Sequence, residues 1–308
     1  MRRRFACLAL VLVAGMAATA APQGPARGRV FRSAIDVTTV NATVLDHDGH
    51  LVTGLPREAF DVYEDGRLQT VTQFTNERVP VSLGILLDVS DSMFGRRIQE
   101  ARDAIERFVV DLLHREDEFS ILAFNHQYHL LTRWTSDRAV ASLVMQPLRP
   151  FGSTAIYDAI LASLPMVDTR NRQRAALLVI SDGADTASDA ALRDVRFAMH
   201  RSDAFVYAVA IDTSNPQAIN TRVNPAALGE ITSQSGGRTL VVHDTADAIN
   251  ALSEIAEELN RQYLMGYSSP KGADGQYHSI HVRVRDTDYR VRARDGYVAV
   301  PRRSDPER

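Results

Sequence analysis

The stretch that decides the fold is Val81-Ser82-Leu83-Gly84-Ile85-Leu86-Leu87-Asp88-Val89-Ser90-Asp91-Ser92. Its first seven residues are almost continuously apolar, without the polar alternation of a strand that has one face in water. Such a run reads as a strand buried on both faces, as in a parallel sheet. Directly after it, Ile98, Ala101, Ile105, Phe108, Val109 and Leu112 recur at three- and four-residue spacing, while Arg97, Glu100 and Arg102 lie off that stripe. That is the period of an amphipathic helix.

Working outward toward the C-terminus, the alternation continues. Strands are expected at 119–124, 175–180, 205–211 and 239–242, with an edge strand at 128–133. Between them fall helices at 154–167, 189–201, 225–234 and 246–260, and a further helix that starts at Ser136, where Ser136 or Asp137 is placed to cap. In the last helix Ile249, Leu252, Ile255, Ala256 and Leu259 form the inward stripe. Strands alternating with helices imply an α/β fold, a doubly wound, mostly parallel Rossmann-like sheet.

The flanks differ. Before Pro80, short β-like runs at 37–45, 51–52, 60–63 and 68–74 are punctuated by Asp48-Gly49 and Asp65-Gly66 turns. Asp46-His47-Asp48-Gly49 opens like a calcium loop but lacks the later acidic ligand, so it reads as a hairpin turn. Beyond Gln262 the helical period stops, and 263–267, 278–284, 289–291 and 297–300 read as strands. The expected organisation is a leader at 1–20, a small β-rich module at 29–79, an α/β domain at 80–261, a small β module at 262–300 and a polar tail at 301–308. Whether the two β segments pair with each other is open at this level.

Arg2, Arg3 and Arg4 precede an apolar stretch and then Ala18-Thr19-Ala20, the layout of a cleaved secretory signal. The stretch falls short of the ~20 residues a membrane span needs. Export to the periplasm or the exterior is therefore expected, and Cys7 leaves with the leader, so disulfides and thiol catalysis are excluded for the mature chain. Overall, 45% hydrophobic and 24% charged residues fit a soluble globular chain rather than a disordered one. The net charge of −3, more negative once the leader's arginines are gone, argues against nucleic acid as a partner.

In an open α/β sheet, ligands bind beyond the carboxyl ends of the strands, near the point where strand order reverses. Two of the most apolar strands end there in Asp88-Val89-Ser90-Asp91-Ser92 and in Ser181-Asp182-Gly183-Ala184-Asp185, and Phe151-Gly152-Ser153-Thr154 precedes a helix between them. Asp-x-Ser-x-Ser sets three oxygen side chains in alternate positions, a donor set for a hard cation such as magnesium. Hydroxyls add no charge, so an ion they hold keeps electrophilicity at an open position, which a carboxylate from a partner would complete. The site reads as an exposed strand-end loop, where substitution should spare the fold.

These residues resemble the metal ion-dependent adhesion site of von Willebrand factor type A domains, which pairs Asp-x-Ser-x-Ser with a loop threonine and a later Ser-Asp-Gly aspartate. The resemblance covers roughly 81–260 and implies one divalent cation, Mg2+ or else Mn2+ or Ca2+. Ser90, Ser92 and Thr154 would ligate it directly, and Asp88 and Asp182 would hold it directly or through water. It further implies a non-enzymatic module that binds a protein offering an acidic side chain. The whole layout, with Gly54-Leu55, Tyr63-Glu64-Asp65-Gly66 and Arg292-Ala293-Arg294-Asp295-Gly296-Tyr297, is also similar to exported bacterial proteins with related domains. Asp91 stands where the family usually has glycine; its carboxylate either tightens cation binding or repels an acidic partner.

The rival readings are a magnesium-dependent phosphoryl-transfer or hydrolytic enzyme, and a structural scaffold without metal-dependent binding. Against the enzyme, the chain has no Gly-rich phosphate loop with a lysine, and Lys271 is its only lysine. It has no Gly-x-Ser-x-Gly elbow, and its nine histidines do not fall into metal-ligand spacing. His126, His129, His278 and His281 sit in strand-like segments, where an exposed or core-lining histidine is the default.

Overall fold

The computed structural model describes residues 37–182, 185–212, 225–285 and 288–300. The expected leader and polar tail, and Gly183 and Ala184, lie outside the described residues.

The first four strands are β1 (Val37–Leu45), β2 (Phe60–Glu64), β3 (Arg67–Gln69) and β4 (Val71–Thr75). The α/β region supplies β5 (Val81–Asp88), α1 (Arg96–Arg107), β6 (Glu118–Phe124), β7 (Tyr128–Thr135), α2 (Ala139–Met145) and α3 (Ile156–Val167). It continues through β8 (Arg174–Ser181), α4 (Leu192–His200), β9 (Phe205–Ile211), α5 (Pro225–Ser235), β10 (Thr239–Val242) and α6 (Thr245–Asn260). The last strands are β11 (Tyr263–Ser268), β12 (Tyr277–Val284), β13 (Arg290–Ala293) and β14 (Gly296–Val298).

The central sheet has the order β10-β9-β8-β5-β6-β7, parallel except for the edge strand β7. All eight residues of β5 are buried, as the uninterrupted apolar run requires of a strand covered on both faces. Ile85, Leu87, Ile121 and Leu178 join residues of α1, α2 and α6 in the core on one face. Leu86, Leu122, Leu177 and Val179 join residues of α3, α4 and α5 on the other. Close approach is built in at Gly237, where a Cβ would meet the Val206 carbonyl oxygen at 1.9 Å.

The flanking segments are interleaved. One sheet runs β13-β1-β11-β4 and the other β14-β12-β2-β3, so each draws strands from both sides of the central domain. Val40, Val62, Met265, Ile280 and Val282 share their common core. The single run expected at 68–74 divides into β3, which pairs β2, and β4, which pairs β11. Residues 51–52 contribute only a bridge between Leu45 and Leu51.

A buried polar junction joins this sandwich to the amino-terminal edge of the central sheet. Arg174, at the start of β8, donates to the carbonyls of Val79 at 3.1 Å and Leu259 at 2.8 Å, and to the Gln262 side-chain oxygen. Gln262 in turn donates to the Thr43 hydroxyl at 3.2 Å and the Tyr207 hydroxyl at 3.1 Å. The opposite edge of the sheet, where the parallel strands end, carries Asp88 and Ser181.

Local expectations fail where tertiary contacts take over a side chain. Of the two capping candidates, Ser136 does not cap α2, its hydroxyl donating to the Asp117 carbonyl at 3.1 Å, whereas Asp137 does accept from the Ala139 N–H at the helix start, at 3.1 Å. In α6, Ile249 is only half-buried while Ala248 and Ala251 face the core, and Asp244 caps the helix through the Asp247 N–H at 2.8 Å. Among the described residues, no helix is long and apolar enough to cross a membrane.

Candidate functional site

Pairing of β5 with β8 sets Leu87 beside Ile180, so the two strands finish side by side. Asp88 therefore meets Ser181, whose hydroxyl donates to Asp88 Oδ2 at 2.6 Å. The Ser90 N–H donates to Asp88 Oδ1 at 2.8 Å, closing a tight turn immediately beyond the strand. Ser90 and Ser92 follow on a short 3-10 turn, their hydroxyl oxygens 3.0 Å apart.

Backbone bonds lock the second loop against the first. The Phe151 N–H donates to the Val89 carbonyl at 2.9 Å, and the Asp91 N–H donates to the Gly152 carbonyl at 2.9 Å. Gly152 makes this possible with φ +78°, and a Cβ there would strike His126 Nδ1 at 2.6 Å. Thr154 is fixed by the third loop: its N–H donates to the Thr186 hydroxyl at 3.0 Å, and its carbonyl accepts from the N–H groups of Thr186 and Ala187 at 2.8 and 3.0 Å. The three loops expected to converge do so.

The site is not an exposed loop. Asp88, Ser90, Thr154 and Asp182 are all buried and Ser92 is half-buried, because the loops fold over the strand ends. Asp91, by contrast, is exposed.

Three participants have roles that the sequence did not assign, although Ser181 and Asp185 lie in the strand-end motif. Arg97 lies off the apolar stripe of α1, yet it is buried on the first turn of that helix and donates to Asp182 Oδ2 at 3.2 Å and to the Ser92 carbonyl at 3.0 Å. Ser181 fixes Asp88. Asp185 serves the helix beside the site, accepting from the Ile156 N–H at 2.8 Å and from the Ser188 hydroxyl at 2.6 Å. The available signal for Arg97 was its place on the first turn after the loop, where a long side chain reaches back over the strand end.

Burial pushes the Asp88 carboxyl up to about 7, against the lowering by hydrogen bonds from Ser181 and Ser90; the neighbouring Asp182 charge adds to the rise. Two buried carboxylates against one guanidinium leave negative charge that favours a cation. Adjacent ligands of an octahedral ion at ~2.1 Å lie roughly 3 Å apart, which is the separation of the Ser90 and Ser92 oxygens. The donor set therefore fits a hard divalent cation. Around the site, Phe94 and Phe151 are more than half exposed, and Phe151 meets the His126 ring edge-on at 5.7 Å.

A doubly wound sheet with Asp-x-Ser-x-Ser, a loop threonine and a second aspartate gathered at its carboxyl edge defines the von Willebrand factor type A class. Residues 83–184 match the family model of the von Willebrand factor type A domain. Inter-alpha-trypsin inhibitor heavy chain H4 of Homo sapiens is 22% identical over 196 residues, 59% of this chain and 20% of that protein. The chain spans 14% to 20% of the length of the curated relatives it matches. A von Willebrand factor type A structure from Catenulispora acidiphila has TM-score 0.51 and 13% identity, covering 87% of this chain and 74% of that one. An aerotolerance-related membrane protein from Bacteroides fragilis NCTC 9343 has TM-score 0.50 and 21% identity, covering 58% of this chain and 98% of that one. These structural likenesses are likenesses of fold.

Proposed function

We propose that the domain is a divalent-cation-dependent protein-binding module, exported to the periplasm or the exterior, and not an enzyme. Ser90, Ser92 and Thr154 would hold the ion directly, with Asp88 and Asp182 directly or through water. The ion, Mg2+ or else Mn2+ or Ca2+, would supply a Lewis-acidic position for a carboxylate of the partner. The observation that carries this reading is the locking of three strand-end loops around the Ser90 and Ser92 hydroxyls and two buried carboxylates. Asp88, bonded at both oxygens, suits holding better than nucleophilic attack. Exposed Phe94 and Phe151 would flank the incoming carboxylate, so a partner with an acidic residue beside apolar ones fits best.

The test is calorimetry of the full chain with Mg2+ and Mn2+, beside circular dichroism. One equivalent should bind to the natural protein, and Ser90→Ala and Asp182→Asn should abolish binding while remaining folded. Undiminished binding in folded Asp182→Asn defeats the site. Export is tested separately by mass spectrometry of the native protein, with a mature N-terminus at or near Ala21 as the expected result.

A further inference from the structure

At one end of the sandwich, remote in sequence from the strand-end loops, a second group of metal-type donors meets across the strands. Strand β12 alternates exposed and buried residues, and its inward positions are His278, Ile280, Val282 and Val284. A histidine thus takes a core position at the strand's start. Its Nδ1 lies 2.8 Å from Asp65 Oδ2 and its Nε2 lies 3.1 Å from Asp274 Oδ1. Pairing of Ile280 with Glu64 brings the end of β2 alongside. One donor atom each from Glu64, Asp65 and His278 lies within 4.8 Å of the others.

Glu64 supplies an independent observation. Its side chain is almost wholly buried, 2% exposed, and while Oε1 accepts from the Ser269 hydroxyl at 2.7 Å, the buried Oε2 has no hydrogen-bond partner among the described residues. A buried carboxylate oxygen left without a donor is costly unless a cation or an unseen donor answers it. The Tyr267 hydroxyl, also buried, lies against the Glu64 carboxylate; burial and then that charge push it up, so it is the donor with which a cation at Glu64 would compete.

We propose that Glu64, Asp65 and His278 Nδ1 form a site for a transition-metal cation, zinc being the best match. A ring nitrogen with two carboxylates suits zinc, whereas magnesium selects all-oxygen sets such as the strand-end loops. Asp274 plays the supporting part: accepting from Nε2–H, it holds the ring so that Nδ1, which donates to Asp65 in the cation-free chain, would face the ion once its proton leaves, an arrangement common behind metal-bound histidines. The Gln276 N–H holds that carboxylate with a 2.8 Å bond to Asp274 Oδ1. Charge agrees as well. The three carboxylates of Glu64, Asp65 and Asp274 face at most two cations, His278 and the Lys271 ammonium, which stands 3.9 Å from Asp65 and is exposed enough to swing away. Ligands at ~2.0–2.1 Å in a tetrahedron stand roughly 3.3 Å apart, so His278 Nδ1 and Asp65 Oδ2, 2.8 Å apart, would part slightly to admit the ion. Bound there, it would clamp the β2–β3 turn to the loop before β12.

The test uses the full chain carrying Asp88→Asn, to silence the strand-end loops, stripped with chelator and titrated with zinc chloride under circular dichroism control. One equivalent should bind. His278→Gln and Glu64→Gln should each weaken it at least tenfold, while His50→Ala, which removes the exposed Asp46, Asp48 and His50 group as a competitor, should not. Cobalt substitution should give a visible absorption band that is absent from His278→Gln. No zinc uptake by the folded protein, or undiminished uptake in folded Glu64→Gln, overturns the site. If His278→Gln fails to fold, Asp274→Asn decides: a loss of tenfold or more supports the site, and unchanged affinity defeats it.

Discussion

Arg97 and Asp182 form an ion pair across the candidate site, Nη1 to Oδ2 at 3.2 Å, with both side chains 2% exposed. Two charges this far from water are held in place by each other, so removing one leaves the other buried. Arg97→Ala should cost about 3–5 kcal/mol of stability in chelator. Saturating magnesium should restore part of it, because the cation takes over the charge of Asp182. Chemical denaturation with and without the ion measures this, and a loss below about 1 kcal/mol, the size of an exposed pair, would contradict the burial.

Asp88 makes the cation-free protein sensitive to pH. Its folded-state value of about 7 stands above the ordinary 3.8, so between those values the folded chain keeps a proton the unfolded chain has released. Stability in chelator should therefore fall as pH rises from about 4 to about 7. Asp88→Asn removes the titration, and at pH 7.5 in chelator it should be more stable than the natural protein, by on the order of 2 kcal/mol. The same variant should gain nothing from magnesium. Thermal melts across pH check both halves, and a natural protein with a flat pH response in chelator would show that Asp88 does not carry this proton.

Gly237 is held by space rather than by its backbone angles. With the Val206 carbonyl 1.9 Å from where a Cβ would sit, Gly237→Ala must shift β9 against the turn after α5 and should cost at least about 1–3 kcal/mol. Gly229, with nothing within 4 Å of a built Cβ, is the control, where alanine in a helix interior should stabilise by roughly 0.5–1 kcal/mol. Denaturation midpoints of the two variants should move in opposite directions.

Gln262 bridges three elements through its side chain, and Arg174 depends on it. Burial draws the Arg174 guanidinium down to about 10, so it has little tolerance for a lost acceptor. Gln262→Ala should cost about 1–3 kcal/mol and loosen the sandwich from the central sheet. Hydrogen exchange should rise in β1 and β11 before β5 and β8; equal rises in all four strands would show that the junction does not couple the two parts.

The central domain was legible because its signals are local. An uninterrupted apolar run such as 81–87 has few options other than a doubly covered strand, and hydroxyl and carboxylate residues at its end mark the ligand edge of such a sheet; β9 and β10 begin and end where their residues predict. The sequence by itself thus determined the α/β class and which loops hold the candidate donors. Tertiary structure alone decided the rest. It paired β1 with β11 across more than two hundred residues, buried Arg97 against Asp182, and set His278 between Asp65 and Asp274. Periodicity tells a residue which face seeks cover, but it is silent on which distant segment provides it. That choice depends on the joint packing of both flanks, and a buried charge or histidine acquires its chemistry only from the neighbours this packing delivers.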